Sequence, residues 1–192
     1  MPYAGAMTAK VVPSASGISV LDLRASLEEI VGRDVVRGAL ETLPSETRNE
    51  FVEITAISWV PLVTVTRVVD TVAKAAKLNP ERLIDDAVRR AVERTFKTVW
   101  RLMLRFTTDA ALIARTPVVY SMSRNIGKLT ARIVSPGKSE VTLSEWPGVS
   151  ARHVRTLGIS MVTVVTLAGR KETKVTSTPT PDGAVFHLTW RV

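Results

Sequence analysis

Residues 79–106 read NPERLIDDAVRRAVERTFKTVWRLMLRF, and this stretch predicts a long amphipathic helix. Asn79 is a good N-cap, Pro80 suits the first helical position, and Glu81 places a negative charge at the positive end of the helix dipole. At about 100° per residue, the apolar side chains share one side of the helix. They are Ile84, Val88, Ala91, Val92, Phe96, Val99, Leu102, Met103 and Phe106. The opposite side carries a basic stripe, which consists of Arg90, Arg94, Lys97, Arg101 and Arg105.

The composition indicates a globular chain with a positively charged centre. The chain has 192 residues, 45% of them hydrophobic, and a net charge of +8. Residues 67–132 hold 14 Lys or Arg and 6 Asp or Glu, which accounts for the whole excess. Such a region attracts phosphate, anionic lipid headgroups or acidic protein faces. A solvated helix face explains it more simply, because Asp86–Arg90 and Glu93–Lys97 have the spacing of favourable intrahelical pairs.

The sequence also bounds the environment of the protein. It contains no cysteine, which excludes disulfides and thiolate metal sites. No apolar run is long enough to span a bilayer, and residues 1–17 have the small-residue composition of a flexible leader rather than of a signal peptide. We therefore expect a cytoplasmic protein.

Helical patterns flank the opening stretch on both sides. After a short extended segment at 18–21, helices are expected over 23–43 with a break near Gly32, over 46–53, over 58–77 and, through Pro117, over 109–124. The apolar period then changes from 3.6 to 2. This change predicts a strand at 128–133, a turn at 135–138 and a return strand that contains Val141 and Leu143, then a helix at 150–167 and strands at 171–177 and 184–191.

These elements predict an α+β fold with a single domain over residues 18–192. An N-terminal bundle of about five helices is expected to pack on a C-terminal β-hairpin–helix–β-hairpin, whose strands form a four-stranded antiparallel sheet. Phe186, Leu188 and Trp190 alternate along the last strand, so they are expected to face the helices and to give the long helix its packing partner.

The sequence gives little support for catalysis. His153 and His187 lie far apart, and the Asp85-Asp86 pair stands in the first turn of a helix, where the helix dipole explains it. There is no phosphate-binding glycine loop and no convergent set of metal ligands. We therefore predict that the protein is not an enzyme and that it binds no metal.

A candidate contact surface is expected near the ends of the predicted hairpin. Trp146, beside Pro147-Gly148, is expected to be partly exposed. The basic residues around His153 indicate a surface patch. The complete candidate set is Tyr120, Arg124, Trp146, Arg152, His153 and Arg155.

The order of these features resembles a family of bacterial proteins of about this length that is numerous in myxobacteria. The matching segments are Gly17–Val20, Ala39–Pro44, Ser58–Pro61, Trp100–Phe106, the segment around Tyr120, and Phe186–Trp190. That family is distantly similar to haem nitric-oxide-binding domains and to vinyl-reductase-type and Bet3-type domains. Those relatives sense small molecules or make protein contacts, so the resemblance implies a fold and a broad class of function.

The resemblance also raises the question of haem. The segment Tyr120-Ser121-Met122-Ser123-Arg124 resembles the Y-x-S-x-R pattern that holds haem propionates in the haem-binding relatives. Those relatives also need a proximal histidine upstream, because haem iron requires an axial ligand. Both histidines of this chain lie downstream. We therefore expect the fold without haem and without any other cofactor.

Two functions from different classes follow. The first is a non-catalytic sensory or protein-interaction module of a bacterial cytoplasmic pathway, which acts as a homodimer or with a protein partner and binds a small apolar ligand between helices and sheet. The alternative is a binder of nucleic acid or another anionic surface through the basic stripe, whose affinity would fall steeply with salt.

Overall fold

The computed structural model describes residues 11–96 and 107–191, and within these ranges it confirms the predicted α+β class. The helices are α1 (Gly17–Val31), α2 (Arg33–Glu41), α3 (Ser45–Val52), α4 (Leu62–Ala75), α5 (Pro80–Thr95), α6 (Asp109–Ser123) and α7 (Ala151–Leu167). The strands are β1 (Ser14–Ser16), β2 (Trp59–Pro61), β3 (Lys128–Ser135), β4 (Lys138–Ser144), β5 (Lys171–Thr180) and β6 (Gly183–Arg191). No helix in the two described ranges is both long and apolar enough to cross a membrane.

The predicted helix over 23–43 is two helices, because Gly32 separates them. Its φ of 91° lies in a region that glycine adopts at little cost. In the described ranges, six helices therefore precede the four-stranded sheet, instead of about five. The extended segment expected at 18–21 is wrong, since α1 already begins at Gly17.

A two-stranded ribbon stands where the sequence predicts a leader and a helix start. In β1, Ser14 pairs with Pro61 and Ser16 pairs with Trp59 of β2. Strand β1 lies inside the predicted leader, of which residues 1–10 fall outside the described residues. Helix α4 begins only at Leu62, because the backbone of Pro61 is extended. Local helical periodicity at 58–61 could not reveal a partner strand more than forty residues away in the chain.

Helix α5 confirms the first part of the long predicted helix. The Asn79 side chain accepts hydrogen bonds from the backbone N–H groups of Glu81 and Arg82, at 2.9 and 3.1 Å. The helix ends at Thr95, and the expected continuation falls on residues 97–106, outside the described residues. Its buried face is displaced from the predicted one and consists of Leu83, Ile84, Ala87 and Ala91. The helix packs mainly on α1 and α7, so α7 lies between it and the sheet.

The four-stranded sheet has the order β3-β4-β6-β5, with every neighbouring pair antiparallel. Its inner face is strongly apolar: Val141, Leu143, Phe186 and Leu188 are all at most 1% exposed. Helix α6 packs along β3, and α7 packs on β5. Strand β5 runs on to Thr180 beyond its predicted end. Because β5 is an edge strand, the missing N–H of Pro179 does not interrupt the sheet.

Asp109 joins the start of α6 to the far end of the sheet. Its two carboxylate oxygens accept hydrogen bonds from Nε of Arg170, at 2.8 Å, and from Nε1 of Trp190, at 3.0 Å. Arg170 also donates to the backbone oxygens of Ala168 and Thr107. The sequence predicts Asp109 only as part of a helix cap, since its partners lie 61 and 81 residues away.

We predict that Gly183→Ala destabilises the fold by at least about 2 kcal/mol, as overpacking of a filled site does. A Cβ at Gly183 would lie 2.0 Å from the backbone oxygen of Leu143, so β4 and β6 would have to separate. The matched control is Gly38→Ala in α2, where an added Cβ meets nothing within 4 Å. We expect that change to stabilise the protein by roughly 0.5–1 kcal/mol, because alanine favours helix. Urea unfolding followed by circular dichroism measures both values, and equal effects would contradict the prediction.

Candidate functional site

A cleft of about 250 Å³ lies between the first half of α7 and the strands β5 and β6, and we call it the α7 cleft. Its floor is Phe186, which is fully buried, and its open end is marked by residues that are exposed to solvent. The lining residues are Ala151, Val154, Arg155, Gly158, Ile159, Val175, Ser177, Pro179 and Phe186.

The two-residue period of a strand and the 3.6-residue period of a helix bring these lining residues together. Val175, Ser177 and Pro179 alternate along β5 and share one face, while Val154, Gly158 and their neighbours lie on successive turns of α7. Gly158 permits the close approach of helix and sheet, because a Cβ there would lie 3.3 Å from Cγ1 of Val175. The alternation along the last strand predicts that Phe186 faces the helices, but no pattern in the sequence indicates a cleft above it.

Arg155 connects the α7 cleft to a charged network between α4, α5 and α7. Its Nε donates to Oδ1 of Asp85 at 3.1 Å, and its Nη2 pairs with the Glu81 carboxylate. Arg152 donates from Nε to Oε1 of Glu81 at 2.8 Å and from Nη1 to Oδ1 of Asp70 at 2.9 Å. Two guanidinium groups are therefore shared by three carboxylates.

The network sets the charge state of its members. Burial raises the pKa of Glu81, but the guanidinium groups of Arg152 and Arg155 outweigh it, so the net pKa lies below the usual value of 4.5. Burial dominates at Asp85 and raises its pKa, although Arg155 opposes the shift. Arg152 and Arg155, predicted as part of a contact surface, bind carboxylates of neighbouring helices, and their role in contacts with a partner stays a prediction.

The prediction that Trp146 is partly exposed is wrong. Trp146 is 4% exposed and Tyr120 is 5% exposed, so both aromatic rings belong to the core. A Pro-Gly turn usually lies at the surface, so the sequence predicted that the tryptophan beside it would be exposed. Here the Trp146 backbone N–H donates to the backbone oxygen of Asp182 at 2.8 Å, which folds the turn back onto the second hairpin.

His153 packs on Trp146 at the start of α7. The centroids of the two rings are 5.6 Å apart, and Nδ1 of His153 lies 2.8 Å from Oγ of Ser150, the N-cap residue. Burial lowers the pKa of His153 to about 4, and the positive charges of Arg124 and Arg152 add to the shift. The imidazole is therefore neutral at pH 7 and has a structural role beside the tryptophan.

The end of α6 is tied to β1, because Arg124 forms a β-bridge with Ala15 and Asn125 bonds to Ser14. The hydroxyl of Tyr120 donates to the backbone oxygen of Ile126 at 2.7 Å, and Nη1 of Arg124 donates to the backbone oxygen of Ser123 at 2.7 Å. The side-chain oxygen of Asn125 accepts from the backbone N–H of Ser14 at 2.7 Å. These contacts join the N-terminal ribbon to the connection between α6 and β3.

The described members of the basic stripe lie beside a carboxylate of α1. Arg90 lies 4.0 Å from a carboxylate oxygen of Glu29 on α1, and Arg94 pairs with the same carboxylate. Asp86 pairs with Arg89 rather than with Arg90 as expected. The other three members of the basic stripe are Lys97, Arg101 and Arg105, which lie outside the described residues. Binding of an anionic partner there stays a prediction.

Comparisons with known proteins identify the fold. No protein-family model and no curated protein matches the sequence. Solved H-NOX structures do match, each over 92% of this chain. A variant of the Fe(II) unliganded H-NOX protein from K. algicida gives a TM-score of 0.69 at 10% identity, over 97% of that chain. A variant of the T. tengcongensis H-NOX gives 0.66 at 14% identity, over 98% of that chain. The oxygen complex of an oxygen-binding H-NOX domain related to soluble guanylate cyclases gives 0.62 at 12% identity, over 95% of that chain.

These similarities support the expected distant resemblance to haem nitric-oxide-binding domains at the level of the fold. At such low identity they show the fold alone. The expected membership of a myxobacterial family stays a prediction.

The histidines of this chain do not fit an iron haem held between helices and sheet. His187 alternates with the buried residues Phe186 and Leu188, so it lies on the outer face of the sheet, with its Nδ1 3.8 Å from Glu140. The ring of His153 packs on Trp146, and its Nδ1 forms a hydrogen bond with the hydroxyl of Ser150. The resemblance to the Y-x-S-x-R pattern is also incomplete, because Met122 stands at the position of the pattern's serine. Among the described residues, no group of three or more His, Cys, Asp or Glu could hold a metal ion.

We predict that His153 makes the stability of the protein depend on pH between 7 and 5. Its folded pKa of about 4 lies below the ordinary value of 6.5. The stabilisation is therefore fully present above pH 6.5 and is lost as the pH falls towards 4, because the unfolded chain takes up the proton first. Wild type should lose about 2 kcal/mol between pH 7 and 5 through this group.

Urea unfolding of His153→Gln at both pH values tests this, since the variant should lose that share of the pH dependence. The control is His187→Gln, which removes the other histidine, on the outer face of the sheet. A pH dependence that disappears in the His187 variant and persists in the His153 variant would contradict the assignment.

Proposed function

We propose that this protein is a non-catalytic sensory module that binds a small apolar molecule in the α7 cleft. The observation that carries the proposal is the H-NOX fold, matched over 92% of the chain by structures that include an oxygen-binding domain related to soluble guanylate cyclases. A fold does not by itself define a function, and the chemistry of the cleft supplies the second support.

The α7 cleft favours an uncharged, largely apolar ligand. Val154, Ile159, Val175 and Phe186 supply apolar walls and floor. Arg155 is the charged residue among its lining residues, and its charge is already matched by Glu81 and Asp85. The cleft has a volume of about 250 Å³, which corresponds to roughly eight water molecules at about 30 Å³ each, so the ligand that fits it is a small molecule.

The position of Arg155 provides a route for a signal. The same side chain lines the cleft and bonds to two carboxylates of α5, a helix that also packs on α1. A ligand that displaces Arg155 would change the contact between α7 and the helical half. In this proposal, a protein partner or a second copy of the chain detects that change, in a bacterial cytoplasmic pathway.

We predict that Ala151→Leu weakens binding of small apolar probes at least tenfold, because the larger side chain occupies the mouth of the cleft. The probes are indole, toluene and hexanol, titrated by NMR chemical shifts. Ala110→Leu is the matched control, since Ala110 is also exposed in the first turn of a helix, α6, away from the cleft. Ser177→Leu, on the opposite wall, should act like Ala151→Leu.

Two results would contradict the proposal. One is that no probe shows saturable binding to the wild-type protein. The other is that Ala151→Leu and Ala110→Leu bind the probes equally well, which would place any binding outside the cleft.

A further inference from the structure

We infer that this chain carries the H-NOX fold as a haem-free scaffold, in which its own side chains close the region around Tyr120 and Arg124. The inference concerns the cofactor and is independent of what binds in the α7 cleft. It rests on the chemistry of the donors, on the packing around Tyr120 and on the orientation of α6.

Haem iron is ligated by His, Cys, Met or Tyr side chains. His187 lies on the outer face of the sheet, and His153 contacts Trp146 and Ser150. Residues 79–106 contain no His, Cys or Tyr, and their one methionine, Met103, lies outside the described residues. Tyr120 would have to ionise to ligate iron. Burial raises the pKa of Tyr120 to about 12, so the phenol keeps its proton at pH 7, and this proton is donated to the backbone oxygen of Ile126.

The second step concerns space. Gly127 passes so close to Tyr120 that a Cβ there would lie 2.9 Å from the phenolic oxygen and 2.9 Å from Cδ1 of Leu143. Leu143 is fully buried. The backbone of Gly127 and the side chain of Leu143 therefore pack closely beside the Tyr120 hydroxyl.

The third step concerns the segment that resembles the propionate-binding pattern. Met122, at the position of the serine, is 72% exposed, so it points away from the core. Arg124 forms an isolated β-bridge with Ala15, and the next residue, Asn125, bonds to Ser14. The segment and the residue that follows it thus anchor the N-terminal ribbon.

Expression with δ-aminolevulinic acid, followed by titration of the purified protein with reduced haem, tests the inference. The T. tengcongensis H-NOX, treated in the same way, is the positive control. We expect no Soret band of one-to-one stoichiometry, a mass per protomer equal to that of the 21.0 kDa chain with no added haem, and a thermal midpoint that haem does not raise. A saturable one-to-one Soret band that is lost in His153→Ala, His187→Ala or Tyr120→Phe would overturn the inference.

A second measurement separates the scaffold role of Tyr120 from any cofactor role. Tyr120→Phe removes the hydrogen bond to Ile126, so we expect the thermal midpoint of the haem-free protein to fall by roughly 2–4 °C. Ser121→Ala is the control, because Ser121 is exposed and its hydroxyl bonds only within its own helix, to Val118. An unchanged midpoint in Tyr120→Phe, or an equal fall in Ser121→Ala, would contradict the role given to the tyrosine.

Discussion

Helix α7 is packed on two sides, and the arrangement of the other elements depends on that packing. One side lies on the sheet, and the other side meets α5. Val154, Leu157, Met161 and Val165 are each at most 9% exposed, and full burial of such a side chain contributes roughly 1.5–3 kcal/mol. Without α7, the helical half and the sheet would lose the layer that joins them.

The contact between α7 and α5 differs chemically from its contact with the sheet. The sheet side is apolar and close, because Gly158 has no side chain to hold Val175 away. The α5 side carries ion pairs, in which Arg152 and Arg155 meet carboxylates that are half-exposed. Half-exposed ion pairs are weaker and more easily rearranged than packed apolar contacts. The α7 cleft lies beside this more adaptable contact, where a bound molecule can affect it.

The sequence alone predicted the elements whose signals are local. Asn79 and Pro80 mark the start of α5, and the structure shows both the cap and the helix. Helix α7, predicted over 150–167, begins at Ala151, and the structure shows Ser150 as its cap, which accepts from the backbone N–H of His153. The change of apolar period after Arg124 predicted the hairpin–helix–hairpin order. Caps, turns and periods involve residues within a few positions of one another, so a single sequence contains the whole signal. The buried side of α5 was displaced in the prediction: it includes Leu83 and Ala87, and the helix packs on α1 and α7 rather than on the sheet.

Only the tertiary structure decided which distant groups meet. Arg152 binds Glu81 across 71 residues, and Arg94 binds Glu29 across 65, so charges that look free in the sequence are paired in the fold. Trp146 is buried because the turn after it folds back onto the second hairpin. The sequence determined the helices, the hairpins and the absence of an upstream histidine on the long helix. The folded chain determined the cleft, the charged network and the closed surroundings of Tyr120, since each arises from contacts that no local pattern encodes.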